Sequence, residues 1–328
     1  MNKRTFLITS ASLAAVLCAV GTGLPAAADT PKELRIGYQK IGALLILKDQ
    51  GLLEKRLAAQ GIAVKWVQFQ SGPPLIEALN AGAIDFGYTG DTPPIFAQAS
   101  GVNFVYVASM PVPGKSNAIL VRENSGIKTI ADLRGKKIAF VKGSSAHNVV
   151  VQTLEKAHIA WSDITPVYLQ PADAGAAIQS GAVDAWSIWD PFYAVAEHYP
   201  GVKLLTNAVG IAPSNAFFLA TRDFATRYPA TISAVVDEAQ KGWRWAEKNQ
   251  DKLAQVLADA SGVDLASEKI VAARSDYEVS YITPGVVRQQ QAIADTFSKL
   301  GLIPRSIQIG AVIWTPNGKA LSATGEQH

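Results

Sequence analysis

One stretch of this chain is written twice. Ala78-Leu79-Asn80-Ala81-Gly82-Ala83-Ile84-Asp85 returns as Ala177-Ile178-Gln179-Ser180-Gly181-Ala182-Val183-Asp184, and in each copy a second aspartate, Asp91 or Asp190, stands six residues further on. The echo extends upstream, where Ile36-Gly37-Tyr38-Gln39-Lys40 matches Ile138-Ala139-Phe140-Val141-Lys142. Each half reads strand, loop, helix, strand, helix, strand, loop, the grammar of an α/β sheet. Two similar halves predict two lobes facing each other across a cleft, and clefts bind small ligands.

The two halves have enough apolar material for a core each: the chain has 328 residues, 48% of them hydrophobic. Lys3-Arg4, an apolar run from Phe6 to Val20, a break from Gly21 to Pro25 and the small residues Ala26-Ala27-Ala28 follow the order of a secretory leader, cleaved after Ala28. Removing Lys3 and Arg4 leaves 28 basic against 27 acidic residues, a net charge of +1. That near balance excludes a nucleic-acid binder, which needs a clustered excess of Lys and Arg. The single cysteine is Cys18, inside the leader and preceded by Leu17 rather than the small residue of a lipid-anchoring site. The exported chain therefore has no disulfide, thiolate metal site or cysteine nucleophile. The four histidines, His147, His158, His198 and His328, show no paired spacing for a zinc site, and no metal or cofactor is expected.

Periodicity predicts strands at Leu34 to Tyr38, Val64 to Phe69, Ile84 to Gly87, Phe104 to Met110, Ala118 to Val121, Lys137 to Val141, Val167 to Leu169, Val183 to Trp186 and Phe217 to Thr221. Helices are expected from Ile41 to about Ala59, from Pro73 to Asn80, from Ser145 to Ala157 and from Ala172 to Ser180. From Pro229 onward the pattern turns helical, ending in an amphipathic segment from Val286 to Leu300, and these late helices are expected to pack on the first lobe. The domain reading is a leader over 1–28, a first lobe over 29–121 plus 219–328, and a second lobe over 122–218, with hinge crossings near 121 and 219.

Lys142-Gly143-Ser144-Ser145-Ala146-His147-Asn148 joins a strand to a helix. Gly143 permits a tight turn, Ser144 or Ser145 can cap the helix, and the uncommitted N–H groups of a helix start attract an anion. No second glycine or Gly-Lys-Ser/Thr follows, so this is no nucleotide-phosphate loop. Asp91 and Asp190, at equivalent points of the repeat, are expected to line the cleft or shape turns rather than act as a catalytic pair. Trp186, Trp189, Phe192 and Tyr193 crowd the second copy where the first has Gly87, Gly90 and Pro94. One lobe thus offers bare backbone and the other aromatic walls, with Trp186 expected in the core and Trp189 open to either role.

Several segments together resemble the periplasmic aliphatic-sulfonate-binding proteins of bacterial ABC importers. They are Gly37-Tyr38-Gln39-Lys40, Glu77-Ala78-Leu79-Asn80, Thr89-Gly90-Asp91, Pro93-Pro94-Ile95-Phe96-Ala97-Gln98, Lys142-Gly143-Ser144-Ser145, His147-Asn148, Pro171-Ala172-Asp173-Ala174 and Ile188-Trp189-Asp190-Pro191. The resemblance implies a two-lobed α/β type II periplasmic binding protein fold, with a mixed sheet in each lobe and a hinge of two crossings. It implies capture of a small anionic sulfonate in the cleft and delivery to ABC permease subunits in the inner membrane, the chain acting as a monomer in the periplasm. It also implies that Gln39, Gly90, Asp91, Ser144, Ser145, Ala146 and His147 hold the sulfonate oxygens, with Trp189 and Asp190 nearby. Asp91 and Asp190 are awkward partners for an anion, and orienting donors, binding a substrate amine or shaping loops suits them better. Relatives of this kind bind taurine, nitrate or thiamine precursors, and enzymes share the scaffold, although the desulfinase kind uses a cysteine this chain lacks once exported.

Overall fold

The computed structural model describes residues 30–316, so the leader and the last residues of the first-lobe assignment lie outside the described residues. In chain order the elements are β1 (Glu33–Tyr38), α1 (Ala43–Gln50), α2 (Leu52–Ala58), β2 (Ala63–Gln68), α3 (Gly72–Asn80), β3 (Phe86–Thr89), α4 (Thr92–Ala99), β4 (Phe104–Val112), β5 (Asn117–Arg122) and β6 (Lys137–Phe140). There follow α5 (Ser145–Lys156), β7 (Thr165–Tyr168), α6 (Pro171–Ser180), β8 (Ala185–Trp189), α7 (Phe192–Ala196), β9 (Val202–Asn207) and β10 (Ser214–Thr221). The chain closes with α8 (Arg222–Arg227), α9 (Pro229–Lys248), α10 (Gln250–Ser261), α11 (Leu265–Arg274), β11 (Ser280–Tyr281) and α12 (Pro284–Lys299).

The strands form two mixed sheets. One runs β11-β4-β10-β3-β1-β2 and the other β7-β6-β8-β5-β9. In each, three strands of the repeat pair in parallel, β2-β1-β3 and β7-β6-β8, and the connecting strands join antiparallel. The repeat is visible down to single hydrogen bonds. Asp85 Oδ2 accepts from the Arg35 N–H at 2.9 Å and Asp184 Oδ2 from the Lys137 N–H at 2.8 Å. Gly82 and Gly181 both take positive φ, 67° and 80°, to end their helices, which explains the glycine in each copy.

Successive strand residues alternate between faces, so both sheets are covered on two sides. In the first, Val105, Val107, Phe218 and Ala220 face α1, α2, α9 and α10, while Phe104, Tyr106, Phe217 and Leu219 face α3, α4 and α12. In the second, Ile119, Ile138 and Phe140 pack under α5, and Ala118, Leu120, Ala139 and Trp186 pack under α6 and α7. The late helices α9, α10 and α12 pack on the first sheet.

Two boundaries differ from the sequence reading. The helix expected from Ile41 to Ala59 is broken at Gly51, whose φ of 59° ends α1 and starts α2. The chain crosses between sheets at 113–116 and 208–213, not near 121 and 219, because β5 and β10 are already committed to their sheets at Asn117 and Ser214. Edge strand β9 went unread because Lys203 and Leu204 are exposed and no alternation marks it.

Candidate functional site

The parallel strands of both sheets end at one cleft, as ligand sites in open α/β sheets do. Gln39 follows β1, Gly90 follows β3, Ser144 and Ser145 follow β6, and Trp189 closes β8 with Asp190 after it. Six of the predicted residues, Gln39, Gly90, Ser144, Ser145, Trp189 and Asp190, line one small chamber of about 80 Å³, closed further by Tyr88, Ser116 and Asn117. A larger chamber of about 270 Å³ adjoins it, sharing Gln39, Ile41 and Trp189 and walled by Phe69, Pro171, Pro191 and Phe192. Trp189 borders both. Trp186, three residues earlier, points the other way into the core and is 1% exposed.

The first turn of α5 carries the site's positive potential. Neither serine caps the helix. Ser144 stands at the N-cap, but its hydroxyl turns back and donates to the Val141 carbonyl at 2.7 Å. His147 and Asn148 N–H groups close onto the Ser144 carbonyl, whereas the N–H groups of Ser145 and Ala146 have no acceptor among the described residues. The loop is held from behind: Gly143, at φ 72°, donates its N–H to His147 Nδ1 at 3.2 Å, and Ser187 on β8 donates to the Ala146 carbonyl at 2.9 Å. Gly90 faces this turn so closely that a Cβ there would overlap the Ser145 hydroxyl. Gln39 donates to the Tyr88 carbonyl at 3.1 Å, which fixes its amide at the chamber wall.

Asp91 and His147 are near the chamber but do not line it. Asp91 is fully buried and its carboxylate accepts from Asn148 Nδ2 at 2.8 Å, Ser214 Oγ at 2.7 Å and Thr92 Oγ1 at 2.7 Å. It ties α5 of the second lobe to the first lobe and to the second crossing, the donor-orienting role open to it from the sequence. His147 turns into a box of Phe140, Trp161 and Tyr168 from its own lobe and Phe96 and Phe297 from the other, with centroids 4.9 to 6.5 Å away. Burial, with Lys142 adding repulsion, pushes its imidazolium down to about 3, so the ring is neutral. With Nδ1 accepting, the proton sits on Nε2. Ala146 contributes only backbone, its side chain being buried.

Asp190 is 1% exposed and differs from its repeat partner. Oδ1 accepts from the Ala194 N–H at 3.1 Å and from Arg274 at 3.3 Å. Burial raises its carboxyl to about 7, opposed by Arg274 and the Ala194 N–H. Arg274 reaches across from α11 and binds both oxygens of Glu197 at 2.7 and 2.8 Å, so it is also a strap between the lobes. Neither Arg274 nor Asn117 was singled out from the sequence. Helical periodicity says nothing of which lobe α11 touches, and Asn117 lies in a segment read as the approach to a first-lobe strand. Among the described residues no group of three or more His, Cys, Asp or Glu could hold a metal ion, and no helix is long and apolar enough to cross a membrane.

This architecture, two α/β lobes joined by two crossings around a cleft with an anion-attracting helix start, is that of the type II periplasmic binding proteins. The chain belongs to the NMT1/THI5-like family, whose model matches residues 57–253. A relative from Escherichia coli strain K12, carrying the name of an aliphatic sulfonates-binding protein, is 41% identical over 92% of this chain and 94% of its own length. Among solved structures, the alkanesulfonate-binding protein SsuA from Xanthomonas axonopodis pv. citri bound to MOPS superposes with a TM-score of 0.82 at 39% identity, covering 88% of this chain and 99% of that one. The periplasmic aliphatic sulphonate binding protein SsuA of Escherichia coli gives 0.80 at 39% identity, over 91% and 96%.

Proposed function

We propose that this chain is the periplasmic receptor of an ABC importer that captures aliphatic sulfonates in the cleft and delivers them to the membrane permease as a source of sulfur. The observation that carries this is the first turn of α5, where the Ser144 hydroxyl is turned back onto Val141 and the Ser145 and Ala146 N–H groups have no acceptor among the described residues. A sulfonate is a permanent monoanion with three acceptor oxygens, and neutral N–H and O–H donors suit it better than a partner that must be protonated. The backbone at Gly90, the Ser145 hydroxyl and the Gln39 amide complete a donor ring around the head. The chamber beyond Trp189, lined by Phe69 and Phe192, suits an alkyl or aryl tail. The relatives named for sulfonate binding support the same reading, as does a leader that would place a monomeric receptor in the periplasm. A carrier is the reading these donors suit, and the close relatives are named as binding proteins.

A thermal-shift panel of ethanesulfonate, longer alkanesulfonates, sulfate, nitrate and thiamine on the mature protein tests this. A ligand at about 100 times its Kd adds roughly 2.7 kcal/mol to the native state. A shift from nitrate or thiamine with none from any sulfonate overturns the assignment. Ser145→Pro keeps a residue tolerated at a helix start but deletes one of the free N–H groups, and is expected to abolish the sulfonate shift.

A further inference from the structure

Three glutamines, Gln289, Gln290 and Gln291, stand in a row on α12, and their amides go to three different places. Consecutive residues on a helix point about 100° apart, so one run of three can brace three neighbours. Gln289 Oε1 accepts from Asn215 Nδ2 on β10 at 2.7 Å. Gln291 Nε2 donates to the Ile307 carbonyl at 2.9 Å and its Oε1 accepts from the Ile309 N–H at 2.9 Å, which fastens the chain after α12 to the helix. Gln290 is 1% exposed and donates from Nε2 to the main-chain carbonyl of Asp91 at 2.6 Å and to the Tyr106 hydroxyl oxygen at 3.2 Å.

The bond to Asp91 is the one that bears on the cleft. Asp91 follows Gly90, whose backbone lies so close to the Ser145 hydroxyl that a Cβ has no room between them. A small shift of this turn therefore changes the gap in which the sulfonate head is gripped. The side chains bonded to the Asp91 carboxylate do not secure the turn by themselves. Asn148 rides on α5 of the second lobe and Ser214 stands where the second crossing ends, so both bonds depend on how the lobes stand, and Thr92 is the next residue in the chain and moves with the turn. Among the side chains bonded to Asp91 in the described residues, Gln290 alone reaches it from the body of a first-lobe helix, 199 residues away in sequence. That helix is itself fixed, because Ile293, Ala294 and Phe297 are buried with Tyr106, Phe217 and Leu219 of the first sheet. The bond lies wholly within the first lobe, so parting the lobes leaves it intact.

We propose that Gln290 is a positioning residue for ligand capture: it holds the Gly90–Asp91 turn in its binding geometry while the lobes are open, so that the first lobe's half of the anion site is formed before the ligand arrives. Once the lobes meet, Asn148 and Ser214 hold the same turn and the share of Gln290 is small. This rests on the receptor reading above and adds to it a residue that lies outside the cleft. The consequence is kinetic. Without the Gln290 donor the turn must be ordered during closure, which slows association and leaves dissociation from the closed complex nearly as it was.

Stopped-flow tryptophan fluorescence of the mature protein with ethanesulfonate separates the two rates, with Trp189 at the chamber as reporter. Gln290→Met keeps the length of the side chain and removes the donor. Its association rate is expected to fall about five- to tenfold at about pH 7.5, with the dissociation rate within about twofold of the parent. Gln290→Glu switches the donor on and off in one chain. At about pH 5.5 the introduced carboxyl, ordinarily titrating near about 4.3 and raised by burial, is protonated, donates as the amide did and should bring association to within about threefold of the parent. At about pH 9 it is ionised and cannot donate, and association should fall at least as far as in Gln290→Met. The titratable groups facing it are the Asp91 carboxyl and the Tyr106 hydroxyl, and burial holds the hydroxyl far above its ordinary value, so it stays protonated throughout. Should Gln290→Met fail to fold, the comparison within Gln290→Glu decides. An association rate unchanged by Gln290→Met, a loss confined to dissociation, or a Gln290→Glu rate that keeps one ratio to the parent at both pH values overturns the proposal and leaves the receptor reading standing. A parent that binds no sulfonate overturns both.

Discussion

Protonating His147 probes how the lobes meet, because its ring is clamped by Phe140 and Trp161 on one side and by Phe96 and Phe297 on the other. In the unfolded chain this imidazole titrates near 6.5, and in the folded protein burial holds it down to about 3. A base depressed in this way contributes its full stability above 6.5. It loses that stability as the pH falls, because the unfolded state then binds more protons than the native one. At roughly 1.36 kcal/mol per unit, acidifying to about pH 5 costs about 2 kcal/mol. Asp190 and Glu268, each raised by burial to about 7, run the opposite way: their contribution is lost as the pH rises through 7 and regained on acidification. The overall pH profile therefore masks the histidine, and a difference measurement is needed. In His147→Gln the titration is gone, while a side-chain oxygen remains to accept from the Gly143 N–H. Urea unfolding at about pH 7.5 and pH 5 should show the cost of the substitution shrinking by about 2 kcal/mol at the lower pH. An unchanged cost would mean that the native ring takes up a proton freely, and the aromatic clamp described above would be wrong.

Three other outcomes follow from the cleft. Gly90→Ala places a methyl group against the Ser145 hydroxyl; it should weaken sulfonate binding about tenfold in calorimetry while shifting the melting temperature little, since the clash is with a mobile hydroxyl. Trp186→Ala empties a fully buried site and is expected to cost about 3–5 kcal/mol in chemical denaturation, whereas Trp189→Ala should cost about 1 kcal/mol and act mainly on affinity for long-tailed sulfonates. Asn148→Ala removes the second lobe's donor to Asp91 and should lower affinity for all sulfonates alike by about five- to tenfold, read by titration with ethanesulfonate and its amino analogue.

The parts of the site that could be read from the sequence are those where neighbours in the chain are neighbours in the cleft. Gln39, Gly90, Ser145 and Trp189 each lie at the carboxyl end of a parallel strand, and the repeat announced where those ends fall. His147 misled because it is only two residues from Ser145. On a helix that spacing turns a side chain through about 200°, so a residue beside the anion turn in sequence faces the opposite wall. Arg274 and Asn117 were beyond reach for another reason. Their roles depend on α11 crossing to α7 and on where the chain leaves one sheet for the other, and neither follows from local periodicity. The expected crossing near 121 put Asn117 in the wrong lobe.

The two aspartates six residues beyond the repeat show what divergence did with one inherited position. Asp91 has gathered Asn148, Ser214 and Thr92, so that closing the lobes satisfies it and parting them withdraws Asn148 from a buried carboxylate. Losing such a donor costs about 1–3 kcal/mol where water cannot replace it, so the Asn148 contact favours the arrangement in which the lobes meet. Asp190 has only Ala194 and a long contact to Arg274, and its Oδ2 is buried with no hydrogen-bond partner among the described residues. A ligand can shift the equilibrium between open and closed lobes only by what it gives the closed state and not the open one. An anion on α5 meets donors from both lobes only when Gly90 and Ser145 approach. The first copy of the repeat thus supplies an aspartate contact that holds the lobes together, and the second supplies the α5 turn at which holding them together depends on what lies between.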